Sequence, residues 1–247
     1  MFLNLKIYIV FHKKYNLNIY EIIPKNNKYL TFYGVNKKHS SQYDQIYEFE
    51  MPINTRFFQN NKYNEASALY HLFINETYQS NEWIGLFQYD MRFNRGFFKT
   101  IEKNINNRKS IFYLRYFLNN KLLFREGMRG LIRSYPGFPA GLRYFNEYHK
   151  THFTIYDLNT MPLCNTFIIH RDLFEKMMNW MLPYFKKSYK FGDLISYQGN
   201  GNSININPGH LIEAYTGLFL GLHIKMGYNP IKLNASHDHG IKDKINK

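Results

Sequence analysis

Two apolar runs of strand length constrain the fold most: residues 6–11 (KIYIVF) and residues 83–89 (WIGLFQY), neither showing the polar alternation of a half-exposed strand. A strand apolar on both faces belongs inside a sheet covered by helices on either side, since an uncovered face would stay in water. Segments with helical period follow the strand candidates. Ala66, Leu69, Tyr70 and Phe73 recur at i, i+3, i+4 and i+7 behind Asn64, which is placed to cap the first turn. Phe174, Met177, Met178 and Met181 stripe a second helix that begins near Asp172, with Glu175 in the capping-box position and Pro183 as the stop. A last helix over residues 210–223 carries Leu211, Tyr215, Leu218, Phe219 and Leu222. With strand candidates at residues 29–35, 165–169 and 230–233, this alternation predicts an α/β fold with a mostly parallel central sheet flanked by helices.

The remaining segments carry weaker signals. Residues 94–130 read as a helical connection with loops, including the aromatic-rich piece at 111–117. Two prolines and two glycines in residues 134–141 (SYPGFPAG) predict a structured loop, and residues 199–209 (GNGNSININPG) predict a flexible one.

Composition narrows the function classes. A chain of 247 residues with 45% hydrophobic content supports one core and is expected to form a single domain. Its formal charge of +14 suits a polyanion, a phosphate-bearing substrate or an anionic membrane surface, and does not choose among them. With 22 Tyr and 22 Phe the chain is not a disordered tail. The single cysteine, Cys164, excludes an intramolecular disulfide framework and a Cys-based zinc site, fits a reducing compartment, and reads as a small core residue beside a strand. Apolar runs stop far short of the roughly 20 residues of a membrane helix. Lys6 and the His12-Lys13-Lys14 cluster interrupt any signal-peptide core, so a cytoplasmic location is expected.

Both constraining strands end in a polar group, His12 after the first and Asp90 after the second. In open α/β sheets ligands bind beyond the carboxyl ends of the strands, where loops and helix amino termini converge. Taken alone, His12 is also one residue of a basic loop, and Asp90 a turn-opening Asp. His237-Asp238-His239 places imidazoles and a carboxylate together, which suits a divalent ion when Asp90 joins from elsewhere, or is simply a polar tail turn. Glu65 and Glu213 sit near helix starts, where the helix dipole favours a carboxylate. A partly buried Glu65 would have a raised pKa and could accept ribose or sugar hydroxyls. No Walker loop, G-x-G-x-x-G after a strand, H-E-x-x-H or G-x-S-x-G is present, which removes the usual support for nucleoside-triphosphatase, dehydrogenase, zincin and α/β-hydrolase activity.

Five segments taken together resemble a known family: IYIVFHKK (7–14), NEASALYHLFIN (64–75), WIGLFQYDMRF (83–93), CNTFIIHRDLFEKMMNWMLP (164–183) and GHLIEAYTGLFLGL (209–222). Their order and spacing are similar to the small GT-A-type glycosyltransferases of bacterial capsular-polysaccharide loci and of large DNA viruses, over residues 6–240. The resemblance implies one GT-A-like, Rossmann-like domain over 1–247, with a nucleotide-binding half over residues 1–93. Residues 94–247 would form an acceptor-binding half whose tail contributes to the metal and donor site. It implies transfer from a nucleoside-diphosphate sugar, UDP- or GDP-linked, to a glycan or glycoprotein acceptor, with no nucleic-acid partner. Peripheral membrane contact is compatible with it, and so is a host cytoplasm if the source is viral.

Residue by residue, the resemblance puts His12, Gln88, Tyr89 and Asp90 against the nucleotide sugar, and Glu65, Ala66 and Tyr70 on the helix over it. Asp90 would bind Mn²⁺ or Mg²⁺ on the diphosphate, completed by His237. The segment departs from the family in having one Asp and no D-x-D. Glu213 and Asp193 are the candidates for a general base in an inverting reaction. The alternative is a non-catalytic basic protein that binds nucleic acid or belongs to a virion. Nucleic-acid binding would place aromatics between Lys and Arg on exposed faces, whereas here they fall on strand cores and helix stripes.

Overall fold

The computed structural model describes residues 3–12, 28–36, 45–59, 63–114, 137–158, 160–162, 165–191, 196–199, 202–205 and 208–237. A seven-stranded sheet, in the order β10-β6-β7-β4-β1-β2-β3, forms the centre. Its strands are β1 (Leu5–Phe11), β2 (Leu30–Gly34), β3 (Gln45–Tyr47), β4 (Trp83–Gln88), β6 (Ser110–Tyr113), β7 (Phe167–His170) and β10 (Asn229–Lys232). Within this sheet β7 alone runs against its neighbours β4 and β6, so the sheet is mostly parallel as the apolar runs predict. The helices are α1 (Glu65–Ile74), α2 (Phe97–Asn104), α3 (Phe138–His149), α4 (Arg171–Phe191) and α5 (Pro208–Lys225).

Both faces of β1 are buried, for the reason its sequence implies. Leu5, Ile7, Ile9 and Phe11 join a core with Phe87, Phe112 and the α2 residues Phe97 and Ile101. Tyr8 and Val10 point the other way, into a core built with α1, α3, α4 and α5. At Gly85, in the middle of β4, a Cβ would stand 2.9 Å from Ile7 Cγ1 and 3.0 Å from Ile168 Cγ1, so the glycine lets three central strands close up.

Several expectations are corrected. The aromatic-rich piece beyond residue 110 contains a strand: Ser110–Tyr113, buried on both faces, pairs with β7 and β10. Its four residues are too few to show a period. Of the expected loop at 134–141, Phe138 onward is helix, with Pro139 in the first turn, where a missing N–H costs nothing. Residues 134–136 lie outside the described residues. The expected flexible loop at 199–209 contributes to an antiparallel hairpin of β8 (Ser196–Gly199) and β9 (Asn202–Asn205), with Asn200-Gly201, a strong hairpin dipeptide, between them.

Pro183 does not end its helix; it lies inside α4. The ring forfeits one backbone bond, and side chains on both sides of it anchor the helix: Trp180, Met181 and Phe185 are fully buried, and the Tyr184 ring packs 4.4 Å from that of Tyr215. Nor does Asp172 cap this helix, since the first turn starts one residue earlier and His170 Nδ1 accepts the Asp172 N–H at 3.3 Å. Cys164 lies outside the described residues. Among the described residues no helix is long and apolar enough to cross a membrane.

One packing detail sets a pH dependence. His223 of α5 is 3% exposed, stacked 4.1 Å from Phe219 and bonded through Nδ1 to the Phe219 carbonyl at 2.8 Å. Burial pulls its pKa down to about 4, with the carbonyl contact opposing and His149 and Lys176 adding to the shift. The folded state therefore favours neutral imidazole. Its contribution is complete above the unfolded pKa of about 6.5 and is lost as pH falls from there toward the folded value, by about 3 kcal/mol in all. Urea unfolding of wild type and His223→Phe at several pH values across that window should show a shallower acid slope in the variant. Parallel slopes would contradict the assignment.

Candidate active site

The strand order creates the site. From β1 the chain moves to β2 and β3 on one side, then returns through α1 to β4 on the other side of β1. Connections that leave adjacent parallel strands toward opposite sides open a crevice at the strands' carboxyl ends. Register sets what stands there: Val10 is opposite Gln88, and the Tyr89 N–H donates to the Val10 carbonyl at 2.9 Å, so His12 and the Tyr89–Asp90 turn emerge side by side.

Four of the candidate residues meet at this point. The His12 and Tyr89 rings contact edge to face at 5.3 Å between centroids, and His12 Nδ1 lies 3.8 Å from Glu65 Oε1. Asp90 is 6% exposed, in the turn between β4 and β5 (Met91–Phe93). The Tyr89 phenol is pushed well above its ordinary pKa, first by burial and then by the negative charge of Asp90 and Glu65. At neutral pH the Tyr89 phenol is an O–H donor, as it is at its ordinary pKa.

The tail returns to the same turn. β11 (Ala235–His237) pairs antiparallel with β5, placing His237 opposite Met91, the residue after Asp90. Asp238 and His239 lie outside the described residues, as does Asp193. The Asp90 carboxylate at this turn is the donor type that a hard divalent ion takes. Among the described residues no three His, Cys, Asp or Glu side chains gather as a metal site, so phosphate oxygens or water would have to complete the coordination.

Other candidates sit differently. Gln88 ends β4 half-buried beside the crevice. Ala66 is fully buried in the core, and Tyr70 packs its ring 4.4 Å from Phe58 and 5.5 Å from Phe185. Glu213 is half-buried in the second turn of α5, near Tyr215, whose hydroxyl donates to the Gly137 carbonyl at 2.9 Å.

Sequence reasoning missed two asparagines at the crevice. Asn36, just beyond β2, has φ 71°, and Asn64 has φ 43°. Asn64 does not cap α1 with its side chain; its Oδ1 accepts the Asn36 Nδ2 donor at 3.1 Å. Its unusual backbone turns the carboxamide from the helix toward the end of β2. The only sequence signal was that Asn is the non-glycine residue most at ease in such conformations.

Two concavities are lined by other segments. One of about 390 Å³ is lined by Phe93 to Lys99 and continues directly from β5. The roomier one, about 620 Å³, runs along α3 and the following turn, with Phe138, Leu142 and Phe153 as floor and Arg143, Lys150 and His152 around it. Its lining carries one carboxylate, Glu147, and lacks the Glu65–Asp90 pair of the β1–β4 crevice, which makes the crevice the candidate site.

The strand order thus places a crevice at the carboxyl ends of β1 and β4 in a mostly parallel α/β sheet. The chain is similar to the apo structure of WbbM, a bifunctional glycosyltransferase, at 16% identity and a TM-score of 0.56, covering 95% of this chain and 45% of that one. It thus spans less than half of the length of that neighbour, and the likeness establishes a GT-A-like fold. No protein-family model and no curated protein sequence matches the chain.

Proposed function

We propose that this protein is a glycosyltransferase that moves a sugar from a nucleoside-diphosphate sugar, UDP- or GDP-linked, to a glycan or glycoprotein acceptor. The observation that carries the reading is the meeting of His12, Glu65, Tyr89 and Asp90 at the carboxyl ends of β1 and β4, in a fold like that of a glycosyltransferase. In this reading Glu65 accepts ribose hydroxyls, while the Tyr89 hydroxyl and the His12 ring orient the donor. Asp90 and His237 would hold Mn²⁺ or Mg²⁺, which supplies charge to the departing diphosphate. If transfer inverts the anomeric carbon, Glu213 or Asp193 takes the acceptor proton. The groove along α3, with Arg143 and Lys150 at its rim, would receive the acceptor.

The structure offers a nucleic-acid reading little. Among the described residues the exposed aromatic rings are Phe57, Tyr148 and Tyr156, on separate segments, whereas a stacking platform needs them in series. Thermal unfolding with UDP-, GDP- and dTDP-sugars, each with and without Mn²⁺, tests the proposal. At a ligand concentration 100 times the dissociation constant, one nucleotide should stabilise the protein by about 2.7 kcal/mol. No stabilisation by any of them would defeat it.

A further inference from the structure

Behind the crevice stands a polar group that the proposed chemistry does not use. Glu48, Ser67 and His71 are all fully buried. Glu48 Oε1 accepts the Asn36 backbone N–H at 2.6 Å. Glu48 Oε2 accepts the Ser67 hydroxyl and lies 3.3 Å from His71 Nδ1. His71 Nε2 accepts the Thr55 N–H at 2.9 Å, so the ring's proton is on Nδ1 and is donated toward Glu48. One carboxylate thus ties the end of β2 to two successive turns of α1.

Such a buried group is costly, and an apolar set of similar volume would often serve stability as well or better. What this set provides is placement. Asn36 is fixed through its N–H in a left-handed conformation, and its carboxamide reaches Asn64, the residue before Glu65, which in turn meets His12. We propose that Glu48, with Ser67 and His71, is a positioning residue for nucleotide binding, setting the end of β2 and the start of α1 at the spacing the crevice requires. This inference rests on the nucleotide-sugar reading of that crevice.

Glu48→Gln tests it with little change of volume. In one orientation the new NH2 meets the His71 N–H; in the other it meets the Asn36 N–H, and each leaves donor facing donor. Below the variant's melting transition, UDP or GDP, whichever stabilises wild type, should bind at least tenfold more weakly. Amide hydrogen exchange should quicken at least tenfold in residues 30–36 and 64–71 but not in β4 or β7. Ser67→Ala, which keeps the carboxylate, should move both readouts the same way by less. A dissociation constant within twofold of wild type in both variants, or exchange unchanged at Asn36, would overturn the inference. If wild type binds neither nucleotide, the functional reading fails separately, and the exchange pattern alone decides whether Glu48 orders the crevice.

Discussion

Asp90→Asn is expected to lower sugar-nucleotide turnover by about three orders of magnitude while leaving the protein folded. The carboxylate is 6% exposed, in the turn joining β4 to β5, and the isosteric amide keeps its volume. The variant removes the charge and keeps the size of the side chain. On the proposed reading, glycosyl transfer leaves negative charge on a diphosphate, and Asp90 would anchor a divalent ion against it. Nucleotide affinity without metal should change little, because Glu65, His12 and Tyr89 remain. Steady-state turnover with Mn²⁺ checks this, alongside melting curves for both proteins. Wild-type rates in the variant would remove Asp90 from the mechanism.

The second large effect is on stability. Glu48→Ala leaves the Asn36 N–H, the Ser67 hydroxyl and the His71 Nδ1–H buried beside a hole, with their shared acceptor gone. Removing one member of such a set costs about 3–5 kcal/mol, against a total of roughly 5–15 for a natural domain. For a chain of this size that corresponds to a fall in Tm of about 10 °C. Urea titrations of wild type and variant give the difference directly. A loss below about 1 kcal/mol would mean that water or a shifted side chain replaces the carboxylate with ease.

What was legible in the sequence follows from what a local pattern can encode. Runs apolar on both faces marked β1 and β4, and period marked α1, α4 and α5, because burial imposes those patterns on neighbouring residues. The residues ending β1 and β4 could be named as site candidates for the same reason: a parallel sheet gathers its ligands at one edge. β6 was hidden because four residues, SIFY, carry no period, and α3 because its first turn holds the Pro and Gly of a loop. Pro183 misled because its local cost is offset by aromatic packing from α5. The Glu48–Ser67–His71 group was invisible for a different reason. Three ordinary polar residues from two segments acquire their role only when the turn after β3 is laid against α1.

The five segments that resemble the GT-A enzymes and the observed strand order agree on the fold, and the crevice supplies the chemistry proposed for it. A crystal structure of the protein with UDP or GDP and Mn²⁺ tests that proposal most directly. Density for the nucleotide between the ends of β1 and β4, beside His12 and Glu65, with an anomalous manganese peak at Asp90, is the expected result. Nucleotide found only in the α3 groove, or a metal away from Asp90, would contradict it.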